Sequence, residues 1–175
     1  MDNSFFAYLQ LLELMAFFSG YALIYSLAMF ISGKIPAGKN YVNISRALPY
    51  AYALVGTLYL GLQLRNLYPD YSIQNLRNAF LQPYLIIWAL LSLLFWIPAI
   101  GKRPVLSLLH SLVFFFFLLK DIFLQMTDRG VDKNILSNDM TIYTTSLLVN
   151  ISALVFIVLV TFLYRYFMKR SKPGI

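Results

Sequence analysis

Five long apolar runs, separated by short connections rich in turn residues, are the feature that most constrains how this chain can fold. They cover approximately residues 4–31, 48–64, 80–100, 104–126 and 141–168. A helix needs about 20 apolar residues to cross the hydrocarbon core of a bilayer, and each run reaches or nearly reaches that length. The runs therefore predict an all-α integral membrane protein, a single domain over residues 1–175 with five transmembrane helices.

The composition is typical of a chain that lies almost entirely within lipid. Charged residues make up 12% of the 175 residues and hydrophobic residues make up 60%. Soluble domains carry about 25% charged residues. Because five spans of about 20 residues each leave only short connections, we expect no extramembrane domain.

Two residue types that support much of membrane enzymology are scarce. The chain has no cysteine, which excludes disulfides, thiolate metal sites and iron–sulfur clusters. Its single histidine, His110, excludes a bis-histidine haem or a His-rich zinc site within this chain. Phosphate-binding glycine loops and nucleophile elbows are absent from the sequence as well. We therefore expect a protein that is not an enzyme, with no catalytic, cofactor or metal site.

Lysine and arginine are distributed unequally among the connections, and this asymmetry predicts the orientation. The first and third connections and the C-terminal tail hold nine of them: Lys34, Lys39, Arg46, Lys102, Arg103, Arg165, Lys169, Arg170 and Lys172. The other connections hold four: Arg65, Arg77, Arg129 and Lys133. Because basic residues mark the cytoplasmic side, the N-terminus is predicted outside and the C-terminus in the cytoplasm. These residues occur singly rather than in patches, so nucleic acid is not an expected partner.

The first run and the residue usage bear on location. The first run has no basic segment before it and is about twice as long as the core of a signal peptide, so we expect it to stay in the protein. The abundance of Phe, Tyr, Ile, Asn and Lys is compatible with an AT-rich bacterial genome, in which case the membrane would be the inner one. Residues 72–80 are expected to form a short interfacial helix.

Glu13 is the only glutamate in the chain and lies deep in the first predicted span. A charged side chain at this depth costs at least about 2.5–3.5 kcal/mol, so it needs a partner. Asn150 is predicted at nearly the same depth in the fifth span, and Lys120 lies in the fourth span within reach of a carboxylate one turn deeper. We therefore expect a Glu13–Lys120 pair within an intramembrane polar cluster. The members of that cluster are Gln10, Glu13, Lys120, Ser146 and Asn150.

This cluster has two interpretations. A membrane carboxylate can load and unload a proton, which would suit a proton or cation relay. Alternatively, the cluster fixes the packing of the helices or of a partner subunit. A transport pathway normally has more than one membrane carboxylate or a broken helix, and the sequence indicates neither. We therefore favour the packing interpretation.

Two further groups of residues share helix faces. Ser107, His110 and Ser111 are predicted on a polar face towards the cytoplasmic end of the fourth span. There His110 either forms hydrogen bonds to a neighbouring helix, accepts a proton, or contacts a quinone or haem. Ala53, Thr57 and Gly61 recur at intervals of four in the second span, a small-residue arrangement that allows close helix packing.

Three functions remain open at this point. The preferred one is a non-catalytic accessory or scaffold subunit of an inner-membrane complex. Its partners would be lipid and other integral membrane subunits, as in a motor driven by the proton motive force or in a secretion, respiratory or other energy-transducing assembly, and no soluble small-molecule ligand is expected. The alternative is a small transporter or proton-conducting protein that uses Glu13. The third is a lipid- or quinone-modifying enzyme that uses His110 with Asp121, although about 16 Å along one helix is too far for direct acid–base cooperation.

Overall fold

The computed structural model describes residues 3–34, 41–69, 71–72, 83–127 and 133–170. Within those residues the chain is helical and has no β-strand. Four stretches are long and apolar enough to cross a bilayer: Tyr8–Phe30, Ile44–Leu67, Pro104–Leu124 and Met140–Met168. The predicted all-α membrane class is confirmed, with four candidate spans in the part of the chain that the structure describes.

The first span consists of two helices rather than one. Helix α1 covers Asn3–Phe18 and helix α2 covers Tyr21–Lys34. Ser19 and Gly20 form a turn between them, at the middle of the apolar stretch. Gly/Ser pairs are a common cause of sharp kinks in helices, which accounts for a break at this position. The second span is a continuous helix, α3, over Tyr41–Leu67.

The third apolar run differs from the single long helix predicted from the sequence. It begins as helix α4 over Pro83–Leu90, tightens into a 3₁₀ helix over Leu91–Trp96, and resumes as helix α5 over Pro98–Gly101. A residue that precedes proline is pushed out of the helical region, and Ile97 is accordingly extended, with φ −73° and ψ 121°. Pro98 therefore ends the helix early and leaves Pro83–Trp96 shorter than the four candidate spans.

The last two helices are long. Helix α6 covers Pro104–Thr127, and helix α7 covers the 38 residues Lys133–Arg170. At 1.5 Å per residue, α7 is about 57 Å long, well beyond the thickness of a bilayer core. The interfacial helix predicted over residues 72–80 lies, apart from its first residue, outside the described residues.

The core is built mainly from aromatic rings at the centre of the bundle. Phe18 lies among Tyr52, Tyr59 and Phe114, with ring centroids 5.7, 5.5 and 4.9 Å away. Tyr21 packs against Tyr52 with centroids 4.4 Å apart. All five side chains are fully or almost fully buried. These rings join α1, α2, α3 and α6 in a single packed layer.

Contacts along the helices fix their relative directions. Glu13 contacts Gln63 and Tyr21 contacts Tyr52, so α1 and α2 run antiparallel to α3. Hydrogen bonds from Tyr8 to Asp121 and between Tyr21 and Ser107 make α6 antiparallel to α1 and α2 as well. Helices α3 and α6 therefore run in the same direction. We call the end of the bundle that holds Tyr8 and Asp121 the Tyr8 end. The opposite end is called the Tyr50 end, and there Gly101 lies close to Tyr50, since a Cβ on Gly101 would be 3.2 Å from the Tyr50 ring.

Candidate functional site

The break in the first span is closed by two polar side chains of α7. The backbone N–H of Gly20 donates a hydrogen bond to Ser146 Oγ at 2.8 Å. Asn150 Nδ2 donates to the carbonyl oxygen of Phe17 at 2.7 Å. Unsatisfied backbone groups inside a bilayer cost several kcal/mol each, so a break in a span needs such partners. Ser146 and Asn150 therefore form a polar lock on the break.

The same place is the closest approach of two backbones. A Cβ added to Gly20 would lie 2.8 Å from the backbone nitrogen of Leu147 and 2.8 Å from the carbonyl carbon of Ser146. No side chain fits in that gap, so glycine lets α7 reach the break. Asn150 is 2% exposed and also donates to the carbonyl oxygen of Ser146 at 2.8 Å. Its Oδ1 has no partner among the described residues.

Glu13 has a different partner from the one that the sequence suggests. Gln63 Nε2 on α3 donates to Glu13 Oε2 at 3.3 Å, and Gln63 is 5% exposed. Lys120 is exposed and forms no ion pair with another described residue, so the expected Glu13–Lys120 pair is absent from the structure. That expectation was based on the similar depths of Glu13 and Lys120 in the membrane. Depth does not determine which faces of two helices meet. The Glu13 carboxylate points to α3 rather than to α6.

The structure thus divides the predicted intramembrane polar cluster. Ser146 and Asn150 lie together at the break, and Glu13 lies on α1 with Gln63. Gln10, one turn before Glu13, is partly buried. Lys120 lies towards the Tyr8 end, beside Asp121. Ser146 and Asn150 bond to the break, whereas Glu13 bonds to Gln63, so the described hydrogen bonds fall into two separate sets.

Two features of the structure bear on the choice between a relay and a packing role. The first span is broken at Ser19 and Gly20. A second carboxylate, Asp121, lies within the candidate span Pro104–Leu124 and accepts a long hydrogen bond from the Tyr8 hydroxyl at 3.5 Å. The expectation of an unbroken first span with a single membrane carboxylate was therefore wrong. Both features are engaged by side chains of neighbouring helices.

His110 lies in an aromatic enclosure, and both of its ring nitrogens are hydrogen-bonded. Nε2 lies 2.8 Å from the carbonyl oxygen of Trp88, which can only accept, so Nε2 carries the proton. Nδ1 then accepts from the Tyr52 hydroxyl at 2.7 Å. The Trp88 ring stacks on the imidazole at 4.8 Å with an interplanar angle of 5°. This is the geometry of a histidine that joins helices α3, α4 and α6.

The serines of the predicted polar face are buried and hydrogen-bonded. Ser107 Oγ lies 2.8 Å from the Tyr21 hydroxyl and 2.7 Å from the carbonyl oxygen of Pro104. Ser111 Oγ donates to the carbonyl oxygen of Leu108 at 2.9 Å. The three residues of the face therefore bind protein groups on α2, α3, α4 and α6 itself.

The predicted packing face on α3 is displaced. Ala53 is buried, and Thr57, although exposed, accepts a hydrogen bond from Trp96 Nε1 of the 3₁₀ helix at 3.0 Å, but Gly61 is exposed and a Cβ there would have nothing within 4 Å. Gly56 is the glycine of α3 that packs closely, since a Cβ there would overlap with the Ser92 side chain of the 3₁₀ helix. The expectation that Gly61 is a helix contact was wrong within this chain. Intervals of four do not distinguish a packed stripe from an exposed one.

Three functional positions lacked a prediction from the sequence. Gln63 lies at the end of the second run, where a polar side chain suggests the membrane–water interface rather than a buried hydrogen-bond partner of Glu13. Gly56 gave no signal because isolated glycines are common in membrane helices. The pair Ser19 and Gly20 did carry a sequence signal, because such pairs kink helices, but no break was predicted there from the sequence.

A surface groove of about 300 Å³ runs beside the histidine. Its walls are almost entirely apolar and include Trp88, Phe95 and His110. Because both imidazole nitrogens already have partners in the bundle, the groove offers a ligand no free ring nitrogen. Among the described residues there is also no group of three or more His, Cys, Asp or Glu side chains that could hold a metal ion.

Comparisons with known families, with curated proteins and with solved structures found no matching family model, no similar protein and no similar structure. The function is therefore argued from the geometry of this chain alone.

Proposed function

We propose that this protein is a non-catalytic scaffold subunit of an integral-membrane complex, and that the second half of α7 is its docking element. The observation that carries the proposal is the exposure of residues 158–168, every one of which is exposed. Seven large apolar side chains in this segment are at least half exposed: Leu159, Phe162, Leu163, Tyr164, Tyr166, Phe167 and Met168. A helix that is apolar all round needs lipid or a partner on every side.

The depth of α7 favours a protein partner over lipid for this segment. The distance along the helix axis from Asn150 to the ends of the span Met140–Met168 is about 15 Å on one side and about 27 Å on the other. The break that Asn150 locks lies at the middle of Tyr8–Phe30, and a half bilayer core is about 15 Å thick. The apolar end of α7 therefore extends about 12 Å too far for an upright helix. Fitting it by tilt alone needs more than about 50°, beyond the usual range of 0–40°.

The engagement of the interior polar groups supports the same proposal. Glu13, Asn150 and His110 all form hydrogen bonds to other helices of the bundle. A scaffold uses polar side chains in this way, because they fix which helix faces meet.

We further infer that the chain crosses the membrane five times. Helix α3 ends at the Tyr8 end and α6 begins at the Tyr50 end, so the chain between them must return across the bundle. The described part of this return, α4 with the 3₁₀ helix, measures about 24 Å at 1.5 and 2.0 Å per residue. This length is close to the hydrocarbon core of about 30 Å. The basic residues favour the Tyr8 end outside and the C-terminus in the cytoplasm.

Residue usage supports a bacterial inner membrane as the location. The host complex would be a motor driven by the proton motive force, or a secretion or respiratory assembly, in which a small helical subunit packs against others.

The test is co-purification in mild detergent from native membranes. We expect a partner in fixed ratio to the wild-type chain. The double variant Phe162→Ala/Phe167→Ala should lose it, because these rings are 65% and 63% exposed and would form the contact. The matched control, Phe116→Ala/Phe123→Ala on α6, removes rings that are 62% and 67% exposed and should keep the partner. A monodisperse lone wild-type chain would contradict the proposal.

The broken first span favours a second candidate function, a small proton- or cation-conducting protein that uses Glu13. In purified protein reconstituted into vesicles, this candidate requires an ion flux that Glu13→Gln abolishes while the protein stays folded. The scaffold proposal expects no such flux from either protein.

A further inference from the structure

Two cavities on the surface of the bundle meet at Lys120. One is a groove of about 540 Å³ with apolar walls formed by Phe116, Leu119, Ile122 and Phe123, and Lys120 lies at its edge. The other is a cleft of about 200 Å³ between α1, α4 and α6, lined by Tyr84, Lys120 and Asp121 together with apolar residues. Lys120 lines both, so a polar cleft and an apolar groove adjoin each other at this side chain.

The depth of this junction corresponds to the interface of the membrane. Lys120 lies four residues before the end of the candidate span Pro104–Leu124, which is about 6 Å along the helix. A lysine at that depth extends its ammonium group into the headgroup region while its methylene stem stays in the hydrocarbon. Both cavities lie along the same stretch of α6, so the Lys120 ammonium is level with the phosphates of one leaflet, while the inner part of the groove, at Phe116 and Leu119, is level with the acyl chains.

The charges in the cleft are of both signs. The Lys120 ammonium is exposed and has no ion-pair partner among the described residues. The Asp121 carboxylate accepts a hydrogen bond from Tyr8 at one oxygen, and a carboxylate has about four acceptor sites in total. Tyr84, which is 66% exposed, stands at the mouth of the cleft. An occupant complementary to this cleft carries a negative and a positive group next to each other.

We propose that this site binds one phospholipid with a primary-amine headgroup. The lipid phosphate contacts the Lys120 ammonium, the lipid ammonium donates hydrogen bonds to the Asp121 carboxylate, and one acyl chain lies in the apolar groove between Phe116 and Phe123. A glycerol headgroup has no cation for Asp121. A choline headgroup has a cation that lacks N–H donors. The site therefore selects an aminophospholipid over both.

The experiment is native mass spectrometry of the full chain, purified and then equilibrated with equal amounts of phosphatidylethanolamine, phosphatidylglycerol and phosphatidylcholine of identical acyl chains. We expect one retained phosphatidylethanolamine, preferred over either other lipid by about fivefold to tenfold, the effect of one ordinary hydrogen bond. Equal retention of the three lipids would overturn the proposal.

Two variants separate the roles of the charges. Asp121→Asn should abolish the preference for phosphatidylethanolamine over phosphatidylcholine, because it removes the carboxylate that accepts hydrogen bonds from the lipid ammonium. Lys120→Gln should lower the retention of all three lipids, and Lys120→Arg should restore it. Both side chains are at least partly exposed, so the variants should fold, as a wild-type melting temperature would verify.

The matched control is Lys102→Gln, which removes an exposed lysine at the Tyr50 end and should leave the retained lipid unchanged. If Lys102→Gln and Lys120→Gln have equal effects, the lipid is held by general charge, and the proposal is wrong. A bound polypeptide in place of lipid at wild-type Lys120 would also overturn it. Partner loss in the α7 variant is scored independently, so this inference can fail without affecting the scaffold proposal.

Discussion

The two halves of α7 differ in their surroundings: the first half packs against the bundle, and the second half, although richer in hydrophobic residues, does not. In the first half, Ser146, Asn150, Ala153 and Ile157 are buried at helical spacing and form one stripe against the bundle. In the second half, the positions that continue this stripe, Thr161, Tyr164 and Met168, are exposed like all their neighbours. The contrast teaches that hydrophobicity places a helix in the membrane, whereas small and polar residues decide where it meets another helix.

The largest effect is expected where the first half of α7 touches the break. Gly20→Ala should destabilise the bundle by about 1–3 kcal/mol, because the added Cβ overlaps with the backbone of Ser146 and Leu147, which cannot rotate away. The measurement is unfolding in mixed micelles with increasing SDS. Gly61→Ala on α3, where a Cβ has open space, is the control and should be neutral or slightly stabilising. Equal losses in the two variants would refute the close contact.

A smaller loss is expected from the polar lock itself. Asn150→Ala removes the hydrogen bonds to the carbonyl oxygens of Phe17 and Ser146, and buried hydrogen bonds between membrane helices contribute about 0.6–1.7 kcal/mol. Ser152→Ala, at an exposed position of the same helix, serves as the control in the same SDS titration. An Asn150→Ala protein as stable as the control would mean that the break closes without α7.

The smallest effect is expected in the second half of α7. Phe162→Ala/Phe167→Ala should change the stability of the isolated chain by less than about 0.5 kcal/mol, because both rings are exposed, at 65% and 63%. A clear loss of stability in the purified monomer would show that this segment folds back onto the bundle. The comparison between the two halves would then no longer hold.

The class of the fold was readable from the sequence, because apolar runs of spanning length have few alternatives in water or lipid. The third run was read as one long helix, and the structure ends that helix at Trp96. The cause is an extended Ile97 before Pro98, and a proline at this position in the sequence is itself a signal for the end of a helix.

The candidate sites were only partly predictable. Asn150 and Ser146 were singled out because polar groups in lipid need partners, and the structure shows those partners to be backbone groups of the break. Their identity depends on Ser19 and Gly20, whose kink frees these groups. The expected partner of Glu13 was wrong because the sequence gives depth along each helix but not the rotation of one helix against another. Gln63, rather than Lys120, faces the carboxylate.

The most direct test of the account is a spin-label scan along α7 in lipid nanodiscs, which is simple because the native chain has no cysteine to remove. Nitroxides placed singly at residues 153, 157, 161, 164 and 168 report mobility and accessibility to oxygen. The account predicts immobilised, oxygen-protected labels at Ala153 and Ile157 and mobile labels at Thr161, Tyr164 and Met168. Labels immobilised with the same helical period through to Met168 in the isolated monomer would contradict it.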